Sequence, residues 1–362
     1  MSLLFQPMTI RATEIANRLW VAPMCMYSAE EGVPNDWHHV HLSQFASGGA
    51  GLVVAEATAV VAEGRISPRD TGIWTDEQRD AWAPIVASIH ARGAAAGIQL
   101  AHAGRKASTW WPFAGRGHGS VALDEGGWTT FAPSALAYRG YAEPRELDAS
   151  GIDAIVEGFV SAARRSIEAG FDVLEIHAAH GYLLHEFLSP LSNQRTDEYG
   201  GSLENRARLL LRIVAAVRAE VGDAVPLFVR FSGTDAAEGG WSVEETATVS
   251  VWAAAAGADL FDISSGGLVA HQQIVTGPGY QVPLAAYVRR ETGLLVSAVG
   301  SITEGSQAEE ILQQGDADAI FAAREWLRDP HFGLRAAVEL GEGADLWPAQ
   351  YARAALIPAR SA

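Results

Sequence analysis

Cysteine and lysine are almost missing from this chain: 362 residues hold one of the first, Cys25, and one of the second, Lys106. One cysteine excludes an internal disulfide and any multi-cysteine metal or iron–sulfur site, and it fits a reducing compartment best. Basic residues are scarce as a class. The 26 Lys plus Arg stand against 43 Asp plus Glu, and the net charge of −17 repels nucleic acids and anionic membranes over the whole surface. No apolar run approaches the ~20 residues that a membrane-spanning helix needs, and Met1 to Met8 lack a basic region followed by an apolar stretch. A soluble cytoplasmic protein is expected. Neither a low-complexity linker nor a 20 to 50 residue repeat divides the chain, which argues against a solenoid or propeller.

What is present is a sizeable apolar fraction, 48%, arranged in short runs followed by longer helical patterns. Eight runs read as strands: Leu19 to Pro23, Leu52 to Ala57, Ile98 to Ala101, Val173 to His177, Leu227 to Arg230, Leu260 to Ile263, Leu295 to Val299 and Ala319 to Ala322. Amphipathic stretches lie between them, among them Glu77 to Arg92, Ile152 to Ala169, Leu203 to Val221, Val243 to Ala256, Leu284 to Glu291 and Ser306 to Gln314. Ser202 is placed to cap one helix that ends near Gly222, and Gly170 and Gly257 follow two others. Eight strands alternating with helices predict an α/β fold, a (β/α)8 TIM barrel forming one domain over residues 1–362. A doubly wound sheet would carry a Gly-rich phosphate turn after its first strand, and none follows Pro23. The connection Gly104 to Ser150, with Trp110, Trp111 and Trp128, is too long for a simple unit and reads as a lid.

Barrel active sites lie at the C-terminal strand ends, and the unusual residues of this chain collect there. Strand one runs into Met24, Cys25 and Tyr27; strand three contains Gln99 and ends at His102, Arg105 and Lys106; strand four ends at His177, with His180 and Tyr182 beyond. Residues three apart in a strand point to opposite faces, so His177 and His180 converge only if the chain leaves the strand immediately after His177. Two satisfied core histidines are the plainer alternative, and a zinc site would need His102 or His185 recruited in space. Arg230 closes an apolar run and requires an anion or an ion pair, for which Glu175 and Glu56 are the candidates. Gly300 and Arg324 follow strands seven and eight, where barrels often bind phosphate. These residues alone predict a phosphate-bearing ligand in a barrel mouth.

The motifs Ala22-Pro23-Met24-Cys25-Met26-Tyr27, Gly97 to Lys106, His177-Ala178-Ala179-His180-Gly181-Tyr182, Asn193 to Arg206 and Arg324 to Pro330 together resemble the old yellow enzyme family of FMN-dependent ene-reductases, in particular its thermophilic-like branch with the xenobiotic reductases. The resemblance covers nearly the whole chain. It implies that Ala22, Pro23, Met24, Cys25, Ala57, Gln99, His177 and Arg230 surround the isoalloxazine of a tightly bound FMN, and that Gly300, Ala323 and Arg324 hold its phosphate. His177 and His180 would grip the substrate's carbonyl or nitro oxygen, and Cys25 would tune the flavin without acting as a nucleophile. Tyr182 would donate a proton or, in the competing reading, form a ring wall while solvent supplies it. Tyr27, Lys106 and Arg353 would complete the substrate site. NADPH or NADH would be the reductant and small activated alkenes the acceptors.

Lys106 has three readings: a lid anchor, a contact to a cofactor phosphate, or a solvated side chain at the lid's base. Two positions depart from the family pattern. Ala323 stands where relatives usually have Gly before the Arg, which puts the closeness of the phosphate to that backbone in question. In the tail, residues 345–362, Gln350-Tyr351-Ala352-Arg353 matches a segment whose arginine reaches a neighbouring subunit's site in some members, but Ala354-Ala355 replaces the usual ending. A homodimer or homotetramer sharing sites through Arg353 is the expectation. No metal is expected, and one cysteine excludes the iron–sulfur branch of the family. The rivals are a Schiff-base aldolase barrel using Lys106 and a non-catalytic flavin-binding protein.

Overall fold

Inside the predicted runs, every second residue is buried against its neighbours across the sheet and the intervening ones against helices, so both faces are dry, as a parallel sheet requires. In the computed structural model, which describes residues 2–342 and 346–355, these runs close into a parallel barrel. Its strands are β3 (Leu19–Val21), β4 (Leu52–Ala59), β5 (Ala95–Ala101), β8 (Val173–Ala178), β9 (Leu227–Ser232), β10 (Leu260–Ser264), β11 (Leu295–Ala298) and β12 (Ala319–Ala322), and β12 pairs with β3 to close the ring. The eight-stranded barrel read from the sequence is the observed fold, with strand ends shifted by up to three residues. An antiparallel hairpin, β1 (Met8–Ile10) and β2 (Thr13–Ile15), precedes it; its Met8, Ile10 and Ile15 pack under Trp20, Leu52, Phe228 and Phe321 and plug the floor. The sequence reading missed this hairpin, because three-residue strands are too short for alternation to register.

The surrounding helices are α1 (Asp36–Ser47), α2 (Asp76–His90), α3 (Ala149–Glu168), α4 (Leu183–Leu188), α5 (Leu203–Val221), α6 (Val243–Ala255), α7 (Val282–Thr292), α8 (Gly305–Gln313), α9 (Arg324–Arg328) and α10 (Phe332–Glu339). Local chemistry sets their ends. Ser202 accepts from the Asn205 N–H at the start of α5, Gly222 ends that helix at φ +72°, and Ser242 closes a capping box with Glu245 at the start of α6. Each such cap contributes about 1 kcal/mol. Helix α1, which was not anticipated, is capped by Asn35 and exposes Trp37 and Val40 on its outer side.

Residues 104–148 form the expected long connection between β5 and α3. It carries a short parallel pair, β6 (Phe131–Ala132) with β7 (Arg145–Glu146), and an antiparallel bridge between Thr109 and Ser120. Buried arginines fasten it down. Arg195 donates to the Pro133 and Leu147 carbonyls at 3.0 and 2.7 Å, and Arg105 spans from Leu136 O, at 3.2 Å, to Leu268 O, at 2.8 Å. The lid's Phe113 ring lies 6.3 Å from the Tyr27 ring, so the lid reaches the barrel mouth.

Candidate active site

The parallel register fixes which side chains share a level. Gln99 lies beside Glu175, His177 beside Arg230, and Arg230 beside Asp262. All five are buried. The Arg230 Nε lies 2.8 Å from Asp262 Oδ2, which corrects the expected partners: Asp262 on the next strand pairs with Arg230, and neither Glu175 nor Glu56 does. The reason is register, since Asp262 is level with Arg230 whereas Glu175 sits one inward step lower. Burial pushes both Glu175 and Asp262 above the usual carboxylate range, the Asp262 charge raising Glu175 further, while Arg230 opposes the rise in both. One guanidinium neutralises one carboxylate, so the trio retains a proton. Gln99 Nε2 donates to Glu175 Oε1 at 2.7 Å, and the terminal nitrogens of Arg230 donate no hydrogen bond to any described residue.

The histidine pair does converge, with ring centroids 5.2 Å apart, and the Tyr182 ring is 5.1 Å from His177. The chain leaves the strand one residue later than expected, after Ala178, and His180 and Gly181 then take left-handed conformations at φ +60° and +73°. Glycine is required at 181, because a Cβ there would lie 2.4 Å from Gly267 O. His180 is the strained member, held by Ser232 Oγ at its amide and by Lys106 Nζ, at 2.9 Å, on its carbonyl. Burial pushes the pKa of both histidines well below the ordinary value, and Arg230 adds to it, so both rings are neutral at pH 7. Tyr182 and Cys25 are pushed up, mainly by burial, and stay protonated. Tyr27 is also pushed up by burial.

Lys106 is an anchor between loops. Its ammonium donates to His180 O and to Gly267 O and lies 4.4 Å from the Tyr138 ring, which overturns the solvated reading. Burial lowers its pKa to about 8. His102 and His185, the residues a zinc site would have recruited, are engaged elsewhere: His102 Nδ1 accepts from Gly104 N at 3.0 Å, and His185 pairs with Asp235. The loop Met24 to Tyr27 is held from below, since Glu56 Oε2 accepts the Met26 N–H at 3.0 Å while its Oε1 faces His38 Nε2 at 3.2 Å.

Beyond His180 a cavity of ≈ 360 Å³ runs to the ends of β11 and β12, where Gly300, Ala323 and Arg324 stand. Ser264 and Ser265, which the sequence places at the end of strand six, also line it, as do Gln281, Thr303 and Arg328, to which the sequence reading gave no role because loop and helix-start positions carry no spacing signal. Arg324 has no protein partner among the described residues, and Gly300, at φ +119°, lies so close to Gln281 that a Cβ would sit 3.0 Å from it. Ala323 has φ −116°, so alanine sits there without left-handed strain. An unpaired arginine at one end of the slot and His180 at the other, with the unpartnered buried His177 Nδ1 on the neighbouring ring, fit an elongated polar group with a terminal phosphate. FMN has that form. Arg353 is exposed and follows the turn Ala349–Tyr351, which shares a surface cavity with the end of α1 and with Ala91 and Arg92 just after α2. The tail residues 356–362, like 343–345, lie outside the described residues.

Comparison with known proteins agrees with this geometry. An NADPH dehydrogenase of Geobacillus sp. (strain WCH70) is 47% identical over 343 residues, covering 94% of this chain and 95% of the relative. Among solved structures, morphinone reductase superposes with a TM-score of 0.78 at 28% identity, covering 94% of this chain and 90% of that one. A 2-naphthoyl-CoA reductase solved with 2-naphthoyl-CoA superposes at 0.84 and 28% identity; this chain is covered to 95% but spans only 53% of that longer protein. The model of the NADH:flavin oxidoreductase / NADH oxidase family matches residues 3–342. The chain belongs to that family, the old yellow enzymes, as a flavin-dependent NAD(P)H oxidoreductase whose cofactor is FMN.

Proposed function

We propose that this oxidoreductase is an ene-reductase, which takes reducing equivalents from NADPH or NADH and delivers them, in a ping-pong cycle, to the activated C=C bond of an α,β-unsaturated carbonyl or nitro compound. The observation that carries the reading is the convergence of two neutral histidines and a protonated tyrosine, with ring centroids 5.2 and 5.1 Å apart, where His180 lines the slot. Bound FMN supplies the hydride at its N5.

The chain's own residues do the rest. His177 and His180 donate to the acceptor's carbonyl or nitro oxygen. Negative charge grows on that oxygen as Cβ accepts hydride, so both hydrogen bonds strengthen toward the transition state. Tyr182, kept protonated by burial, gives its proton to Cα. Tyr27 adds a hydroxyl to the substrate wall, and Lys106 retains one of its three N–H donors for the ligand. Arg230 brings a fixed positive charge to the ring, with Gln99, His177, Ala57 and the Ala22-Pro23-Met24-Cys25 segment around it, while Gly300, Ala323 and Arg324 hold the phosphate. Arg353, outside its own barrel, serves a second copy's site in a homo-oligomer.

The test is spectral and anaerobic. Visible flavin absorbance that bleaches with NADPH and returns with 2-cyclohexenone is the expected result. A protein that is yellow, oxidises NADPH in air and never responds to the enone would overturn the ene-reductase reading; one that binds flavin without oxidising NADPH would be a non-catalytic carrier.

A further inference from the structure

His185 and Asp235 are fully buried, belong to neither the slot nor the histidine pair, and are ionisable. Their hydrogen bonds define a proton arrangement. The Gly181 N–H donates to His185 Nδ1 at 2.9 Å, so that nitrogen carries a lone pair and the ring proton sits on Nε2. Nε2 lies 2.9 Å from Asp235 Oδ1. The other oxygen, Oδ2, accepts from Ser189 Oγ at 2.6 Å and from the Trp241 N–H at 2.8 Å. Burial pushes Asp235 up, but the adjacent His185 and the hydrogen bonds from Ser189 and Trp241 outweigh it and hold the carboxyl below its usual range. Gly181 separates His180 from Tyr182 inside the left-handed turn.

We propose that Asp235 is a positioning residue for the reduction site: by fixing His185 in the Nε2–H form it keeps a lone pair on Nδ1 for the Gly181 amide, and thereby sets where His180 and Tyr182 stand. A second buried histidine–carboxylate pair holds the Met24 to Tyr27 loop with the roles exchanged: the Asn35 N–H donates to His38 Nδ1 at 3.1 Å, His38 Nε2 faces Glu56, and it is Glu56 that accepts the Met26 N–H. Both reactive loops are thus pinned through a backbone amide by a buried histidine–carboxylate pair. The inference rests on the roles given above to His180 and Tyr182.

Asp235→Asn is an isosteric test whose amide orientation is dictated by the surroundings. Trp241 and Ser189 both donate to the Oδ2 position, so the amide oxygen must stay there and the NH2 group must face His185 Nε2. The ring proton then moves to Nδ1, donor against donor with Gly181. The expected result is FMN-loaded enzyme in which single-turnover oxidation by 2-cyclohexenone and affinity for 4-chlorophenolate, used as an oxyanion probe of the proposed histidine donors, each fall about 10²-fold, the order expected for a reacting group displaced by ~1 Å. The double variant His185→Asn/Asp235→Asn places an amide oxygen near the Nδ1 position, accepts the Gly181 N–H without any tautomer, and should recover most of both.

Unchanged phenolate affinity and oxidation rate in Asp235→Asn would overturn the inference, as would equal losses in the single and double variants, because a merely structural pair is not rescued by restoring one acceptor. Where the single variant fails to fold, the double variant decides: near-normal phenolate binding supports the proposal and its loss overturns it. His180→Ala and Tyr182→Phe are run alongside. If they too leave oxidation unchanged, the site reading fails; if they impair it and Asp235→Asn does not, only this inference fails.

Discussion

The floor and the mouth of the barrel are lined by the same strands, two residues apart, and bury opposite kinds of side chain. The inward series on β8 is Val173, Glu175, His177; on β9 it is Phe228, Arg230, Ser232; on β10 it is Leu260, Asp262, Ser264. Each of these is at most 6% exposed. Depth is therefore equal, and what differs is the compensation each layer requires. The floor, closed by Trp20 stacked at 5.9 Å on Phe228 and edge-on at 5.3 Å to Phe321, is hydrocarbon and aromatic packing whose one indole N–H, that of Trp20, donates to Asn17 O at 2.8 Å. The mouth buries charge, which is tolerable only while Arg230, Asp262 and Glu175 balance one another. Stability is concentrated below and chemistry above.

The strongest way to break that division is to delete chemistry without touching packing. Tyr182→Phe should slow oxidation of the reduced enzyme by enone about 10²–10⁴-fold, as expected for a lost general acid, while the thermal midpoint stays nearly fixed. A normal oxidation rate, measured by stopped flow, would return the proton to solvent. The converse is Trp20→Ala, expected to cost about 3–5 kcal/mol in denaturant unfolding with turnover per bound FMN preserved. Loss of turnover in the remaining folded protein would mean that the floor shapes the mouth directly.

Arg230→Met joins the two layers, because it leaves buried carboxylates unbalanced. We expect a loss of about 3–5 kcal/mol together with activity. Adding Asp262→Asn should recover stability but not turnover, and recovery of both would remove Arg230 from the reaction.

A gentler probe is pH. Burial raises the carboxyl of Asp70 to about 7 and that of Glu186 to about 8, and it raises Glu175 and Asp262 as well. Unfolded carboxyls titrate near ~4, so the folded state binds more protons than the unfolded one above that, and stability falls as pH rises toward about 8. Buried His41 and His102, lowered to about 4, and His177 and His180, lowered further, act in reverse: below about 6.5 the unfolded state takes up protons that they refuse, and stability falls with acid. The two sets oppose each other below about 6.5; above it the carboxyls dominate, opposed near pH 8 by Lys106, whose burial-lowered pKa of about 8 makes its contribution rise with pH. The holoenzyme's thermal midpoint should therefore decline steadily from about pH 6.5 to 8. A midpoint that rises over that interval would contradict the buried protonated carboxyls.

The smallest effect expected is that of Arg353→Ala, a modest rise in KM for the alkene that depends on association. No change in either KM or oligomer mass would confine the site to one chain.

The sequence by itself determined the barrel, because strand and helix periods are local properties and each β-run announced itself as a largely apolar run of four to six residues. It also determined the types of reactive residue, since Gln99, His177, Arg230 and Arg324 interrupt or end apolar runs where a polar group is costly. Only the tertiary structure decided their partners. Arg230 meets Asp262 through strand register; Lys106 finds His180 and Gly267 across two loops; Asp235, an unremarkable loop aspartate in the sequence, comes under His185. Pairing depends on the closed ring and its stagger, which are set by all eight strands together, and no window of the chain contains that information.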